Sequence, residues 1–310
     1  MRRQRISRLL ATTLAGCGLV GYVPVPRAVA QGPVPGRDLL RFPLGTMDRA
    51  PALASAIGDG MGNPAAVALL PGEVARGGVA ALRTPTEQGV MAALLTAAVA
   101  LPRGLTVGIS VARVTVDGLV RTETDPQTIG GEIPYGTTVI SATVARLNAR
   151  RLAVGLALRY RRGELDAERA GAIGVDAGVL AEHLPFRDAS VGAATFLWRP
   201  GNPDVEGTTL NVAADLRVLG PDTLHEVRAG YSLSSAGRRY GEHFGFATAR
   251  YGIWEGRAGL VRVDAYGPQP WRARMGIVLH YAPYDVGIAR EENGAGLSAN
   301  YQFTLKATIR

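Results

Sequence analysis

Apolar and polar residues alternate one by one along most of the chain beyond about residue 75. The last segment shows it best. Leu297, Ala299, Tyr301, Phe303, Leu305, Ala307 and Ile309 are apolar, and Ser298, Asn300, Gln302, Thr304, Lys306, Thr308 and Arg310 fall between them. Successive side chains of a strand point to opposite faces, so this element has one greasy and one wet face. The pattern recurs in Trp271/Ala273/Met275/Ile277/Leu279/Tyr281, in Leu210/Val212/Ala214/Leu216/Val218, in Val227/Ala229/Tyr231/Leu233, in Leu152/Val154/Leu156/Leu158/Tyr160 and in Leu105/Val107/Ile109/Val111.

Turn chemistry separates these runs: Pro102-Arg103-Gly104, Asn148-Ala149-Arg150, Pro200-Gly201-Asn202-Pro203, Gly220-Pro221-Asp222, Gly267-Pro268 and Glu292-Asn293-Gly294. The segments predict about fourteen strands, with twelve as the lower count. They centre near residues 79, 95, 109, 142, 156, 176, 193, 213, 229, 246, 260, 276, 287 and 302. That spacing accommodates strands of roughly 9–11 residues with their turns, the length that crosses a bilayer when tilted.

Residues 31–72 break the pattern. They carry Gly32-Pro33, Pro35-Gly36, Pro43, Pro51, Pro64 and Pro71-Gly72 and one short helix-compatible run, Ala50 to Ile57. A compact segment of turns is expected there.

Alternation alone also describes a soluble β-sandwich, whose greasy face lies in a core. Three features favour lipid instead. Runs such as 297–310 exceed the usual soluble strand of about five or six residues. Aromatic residues gather near strand ends, at Tyr160, Trp198, Tyr240, Tyr251, Trp254, Tyr266, Trp271, Tyr281, Tyr284 and Tyr301, as in the interface girdles of membrane barrels. The polar face is rich in Gly, Ser, Thr and paired charges. A sheet in hydrocarbon must close, because each unpaired backbone amide there costs several kcal/mol. The predicted fold is therefore all-β: a transmembrane antiparallel β-barrel over residues 73–310, preceded by a segment at 31–72.

Composition adds a leader. Residues 1–30 hold Arg2, Arg3, Arg5, Arg8 and Arg27 and no acidic residue. An apolar stretch begins at Leu9, and Ala28-Val29-Ala30 offers a small-x-small cleavage site, so residues 1–30 read as a signal peptide. Leu14-Ala15-Gly16-Cys17 also matches a lipobox, which would lipidate Cys17 instead. Either processing exports the chain. The formal charge of +8 falls to +3 without the leader arginines, so basicity gives no case for nucleic acid. The single cysteine excludes an internal disulfide framework and cysteine-rich metal sites. No apolar run after the leader reaches the roughly 18 residues of a membrane-spanning helix.

The stretch Ile57-Gly58-Asp59-Gly60-Met61-Gly62-Asn63-Pro64-Ala65-Ala66 resembles the N-terminal signature of FadL-like and PorV/PorQ-like outer-membrane proteins, in which an acidic residue precedes Asn-Pro-Ala before the first strand. The middle of the chain is similar as well: Val154 to Tyr160, a charged turn, Gly174-Val175-Asp176-Ala177-Gly178-Val179-Leu180, then Val191-Gly192-Ala193-Ala194. The resemblance covers about residues 40–200. It implies a fourteen-stranded barrel whose N-terminal segment plugs the lumen, with residues 31–72 as that hatch. It also implies either passage of hydrophobic or amphiphilic small molecules or, in the PorV-like branch, docking of exported proteins. One departure is the final Ile309-Arg310, where such barrels usually end in an aromatic residue.

Candidate site residues follow from both readings. Asp59, Asn63 and Pro64 mark the hatch and a ligand path. The glycines at 58, 60 and 62 suit a turn with positive φ better than a phosphate loop, since neither a GxGxxG spacing nor a Lys-Ser/Thr follows. Arg159, Arg161, Asp176, Asp215, Arg217, Glu226, Arg228, Asp264, Arg272 and Arg274 alternate out of the greasy set and are expected in the lumen, to pair and to anchor the hatch. His183, His225, His243 and His280 lie on separate elements without metal-ligand spacing, and no nucleophile elbow or acid/base constellation stands out. A non-enzymatic protein without a cofactor is expected. Its expected partners are outer-membrane lipid and lipopolysaccharide, a hydrophobic solute or an exported protein.

Overall fold

A computed structural model describes residues 34–122, 129–148, 151–199, 208–236, 240–264, 270–293 and 298–310. The leader and Cys17 lie outside the described residues.

Fourteen strands pair antiparallel in one closed ring. They are β1 (Ala75–Arg83), β2 (Val90–Leu101), β3 (Leu105–Val116), β6 (Tyr135–Asn148), β7 (Leu152–Leu165), β8 (Glu168–Leu184), β9 (Ala189–Phe196), β10 (Thr209–Leu219), β11 (His225–Ala236), β12 (Tyr240–Tyr251), β13 (Trp254–Val263), β14 (Arg272–Tyr281), β15 (Tyr284–Glu291) and β16 (Asn300–Ile309). Each contains or closely flanks an expected strand centre. The remaining two, β4 (Val120–Thr122) and β5 (Ile129–Glu132), form a small hairpin between β3 and β6 that the alternation does not announce. The ring closes where β1 pairs β16, with Ala75 opposite Ile309 and Arg83 opposite Tyr301. No strand edge is left, which is the condition for a sheet in hydrocarbon.

The two ends differ. Tight turns at 102–104, 185–188, 220–224, 252–253 and 282–283 mark the lower end, and the upper end carries longer connections, such as the one that holds β4 and β5. The greasy face points out. Along β2 the inward residues Val90, Ala92, Leu94, Thr96 and Ala98 are buried, while Met91, Leu95 and Val99 are exposed. Leu158, Ile173, Ile277, Ile288 and Phe303 continue this band around the ring. Exposed Phe186, Tyr251, Trp254, Tyr281 and Tyr284 border it near the lower turns, and Trp198, Trp271 and Tyr301 do so towards the upper end. A continuous apolar exterior with aromatic borders is the surface that acyl chains solvate. A soluble sandwich would have buried it.

A ring of about eight strands can be filled by its own side chains, and a wider one needs further contents. Residues 34–74 supply them here. They touch β1, β3, β6, β7, β8, β9, β10, β13, β14 and β16, and a segment in contact all round a closed ring lies inside it. This inner segment contains two 3-10 turns, Asp38–Arg41 and Pro64–Val67. The helix-compatible run Ala50 to Ile57 forms no helix, and the segment is one of turns as expected. Those residues form turns, and the Ala56 amide is drawn instead to the Gly45 carbonyl at 2.7 Å, so a non-local bond displaces the helical one.

Candidate functional site

The glycine-rich run builds a tight fold in the inner segment. Gly58 and Gly60 adopt φ of 66° and 72°, as expected of a left-handed turn. The Asp59 carboxylate between them accepts the Met61 amide at 2.6 Å, and the Asp59 amide donates to Ser55 Oγ at 3.0 Å. Burial pushes the Asp59 carboxyl up to about 6, against the opposing pull of the Met61 amide, Ser55 and the Arg159 charge. Asn63 caps the 3-10 turn by accepting the Ala65 amide at 3.0 Å, and its Nδ2 donates to the carbonyls of Ala52 (2.5 Å) and Val179 (3.0 Å). Gly155 and Gly178 make room for this turn, since a Cβ on either would collide with Pro64 or Asn63.

Arg159 ties the turn to the wall. It pairs with Asp176 on the neighbouring strand, both fully buried, and donates to the carbonyls of Gly60 (2.9 Å) and Met61 (3.0 Å). Its guanidinium also stands 5.0 Å from the Phe196 ring. Arg161, two residues on, donates to the carbonyl of Val34 at 3.1 Å.

Lower in the barrel two ionic networks line the wall. Arg257 binds Asp48 of the inner segment at 2.7 Å and Glu255 at 2.6 Å, Arg49 joins Glu255 at 3.2 Å, and His280 bridges Glu255 (3.0 Å) to Asp285 (2.8 Å) beside Lys306. On β10 and β11, Arg228 reaches Asp215 at 2.5 Å and Glu226 at 3.4 Å, while Arg217 pairs with Asp188 and with Glu226 at 3.1 Å. In the upper half Arg274 holds Glu242 (3.0 Å) and Glu291 (2.7 Å), and Arg272 joins Glu291 at 3.0 Å.

Above the inner segment is a cavity of about 110 Å³. Leu40, Phe42, Leu44, Met61, Phe196 and Leu197 give it an apolar lining, to which Arg37, Arg41 and Glu242 add charge. Below the segment is a second cavity of about 190 Å³, lined largely by the charged groups of the two lower networks.

Arg159, Asp176, Asp215, Arg217, Arg228 and Arg274 thus all face inward, as their register requires. Asp264 is a correction: it and Arg262 share the outward register of Leu260, paired at 3.0 Å at the upper rim, because β13 places odd-numbered residues inside. Asp59, Asn63 and Pro64 hold the turn together and do not line the upper cavity. The sequence reading passed over Glu242, Glu255, Arg257 and Glu291. Their signal was present, since Glu255 and Arg257 alternate with Trp254, Gly256, Ala258 and Leu260.

Neither a family model nor a curated protein matches the chain. Solved structures do. The toluene transporter TbuX of Ralstonia pickettii is 12% identical with a TM-score of 0.59, over 90% of this chain and 98% of its own. A TodX monoaromatic hydrocarbon channel mutant is 10% identical with a TM-score of 0.48, over 79% and 91%. A triple mutant of the Rhodopseudomonas blastica porin is 12% identical with a TM-score of 0.40, over 76% and 99%. At such identity the likeness to TbuX is one of fold, a closed antiparallel β-barrel.

Proposed function

We propose that the protein is an outer-membrane channel of a Gram-negative-type bacterium that admits hydrophobic small molecules, with residues 31–72 as the plug they must pass and residues 1–30 as the export leader. The observation that carries this reading is the apolar cavity above the inner segment. At about 110 Å³ it is of the order of the roughly 150 Å³ cavity that takes up benzene in an engineered core. Its Leu, Phe and Met side chains offer dispersion contact beside the polar groups of Arg37, Arg41, Asn211 and Glu242, which suits a largely apolar solute of monoaromatic size. TbuX, whose fold the barrel shares, carries the description of a toluene transporter.

Lipopolysaccharide, not phospholipid, retards hydrophobic solutes at an intact outer membrane, so the test belongs in cells. A Gram-negative host with intact lipopolysaccharide, expressing either the full chain or an empty vector, is given radiolabelled toluene. Uptake several-fold faster with the protein is expected. Equal uptake at verified outer-membrane expression overturns the reading.

A further inference from the structure

We infer that solute passes the inner segment along the wall formed by β10, β11 and β12, through a constriction between the Ala50–Leu53 turn on one side and Ala213 with Phe246 on the other. The inference rests on the transport reading above and names its route.

The two cavities share these strands. Thr209, Asn211, Ser234, Ala236 and Glu242 line the upper one, and Asp215, Glu226, Arg228, Phe246, Thr248 and Arg250 line the lower one. On β10 a single inward residue lies between the linings: Asn211 above, Ala213 between, Asp215 below. The cavities are therefore about 13 Å apart along that strand, at roughly 3.3 Å per residue. Ala213 is buried against Ala50 and Ala52, with Leu53 and Phe246 packed on the same cluster.

Contact at Ala213 is between apolar side chains, with a tie above it from Asn211 Nδ2 to the Gly62 carbonyl at 3.2 Å. On β1, β2 and β3 the inner segment packs through bulkier apolar clusters, and on the remaining walls it is held by polar bonds. On β7 and β8 its backbone sits directly on Gly155, Gly163 and Gly178, and Arg159, Arg161 and Asn63 add hydrogen bonds. On β9, Gly192 lies against the Ala52 carbonyl. On β13 and β16, Asp48 is bound to Arg257 and the Gly45 amide to Gln302. Parting these small apolar contacts and one amide bond costs less than breaking the several buried polar bonds of the other walls, so the β10–β12 side opens first.

Phe246 is placed to set the width. Residues Asp215, Gly230 and Phe246 lie directly across from one another. The ring of Phe246 lies over Gly230, where a Cβ would strike it, and stacks on Phe244 at 5.3 Å. A ring laid against the wall leaves the passage to the alanines, and a bulkier group at Ala213 would fill it.

The experiment uses the full chain in the same cells with radiolabelled toluene, each variant first checked for outer-membrane abundance and heat-modifiable gel migration. Ala213→Leu is expected to bring uptake down towards the empty-vector level. Phe246→Ala is expected to raise it at least two-fold, and Ala213→Leu/Phe246→Ala to restore at least half of the wild-type rate. Leu82→Ala, which removes similar bulk from β1 on the opposite side of the ring, is expected to leave uptake unchanged. Wild-type uptake above vector that Ala213→Leu does not reduce overturns the route and leaves the transport reading standing. Absence of wild-type uptake removes both. Should Ala213→Leu fail to assemble, Ala213→Val takes its place with the same expected direction, and undiminished uptake by it overturns the route equally.

Discussion

Arg159 on β7 and Asp176 on β8 form a fully buried ion pair whose guanidinium end also grips the carbonyls of Gly60 and Met61. One side chain thereby joins the wall to the inner segment. Asp176 also lies two residues before the Gly178 that receives Asn63, on the same inward face of β8, so the Gly-Asp-Gly-Met-Gly-Asn-Pro turn and the Asp-x-Gly strand of the sequence are two halves of one joint.

Removing Asp176 leaves Arg159 charged and buried without its counter-ion. Asp176→Ala is expected to lower stability by about 3–5 kcal/mol, the usual cost of breaking a buried pair. The outward pair of Arg262 and Asp264 is more than a third exposed, and Asp264→Ala is expected to cost no more than about 1 kcal/mol. Denaturant unfolding in detergent micelles compares the two. Equal losses would show that the Arg159 pair is not an anchor.

Gly178 and Gly256 are both strand glycines with opposite surroundings. A Cβ at 178 collides with Asn63, and one at 256 meets nothing. Gly178→Ala is expected to cost about 1–3 kcal/mol as overpacking and to expose Arg41 and Arg49 to trypsin. Gly256→Ala is expected to change stability by less than about 0.5 kcal/mol. Digestion time courses of the folded proteins provide the check.

The barrel was legible because its determinant is local. Inward and outward residues alternate under a one-residue rule, and Leu156, Leu158 and Tyr160 against Ala157, Arg159 and Arg161 announce both faces of β7. The contents of the barrel were less so. Asp48 meets Arg257 across 209 positions of sequence, and nothing near either residue encodes the partner. The Asp59 turn was readable as a turn, since its glycines need positive φ, but that Met61 and not Asp59 would face the apolar cavity was not. Asp264 misled because strand ends leave the parity of the last residue open. The small β4–β5 hairpin lies beyond the barrel wall, where no apolar face enforces alternation.

Asp59 gives the inner turn a pH dependence. Its carboxyl is held at about 6 in the folded chain by burial, against an ordinary 3.8. A raised folded pKa contributes stability that is fully present below the unfolded value and is lost as pH rises through the folded one. The turn is therefore expected to be firmest below about pH 4 and to have lost the contribution by about pH 7, a change of about 3 kcal/mol. Asp59→Asn keeps an acceptor for the Met61 amide and has no proton to release. Melting of wild type minus that of Asp59→Asn, followed by circular dichroism from pH 4.5 to 7.5, is expected to fall steadily. A flat difference assigns the pH response elsewhere.

Depth along β7 separates lipid contact from mere exposure. Leu158 lies near the middle of the Leu152–Leu165 strand and Leu152 at its lower end, and both belong to the outward register of Val154, Leu156 and Tyr160. A water-covered exterior would accept arginine equally well at either position. A hydrocarbon-covered one charges for it by depth, about 2–4 kcal/mol at the midplane and about 0–1 near the interface. Leu158→Arg is therefore expected to destabilise by at least about 2 kcal/mol more than Leu152→Arg when each is folded into phospholipid vesicles and titrated with denaturant. Leu158 is the more exposed of the two, so lost packing against protein would produce the opposite gap. Equal costs at the two positions would remove the bilayer from the account of this outer face.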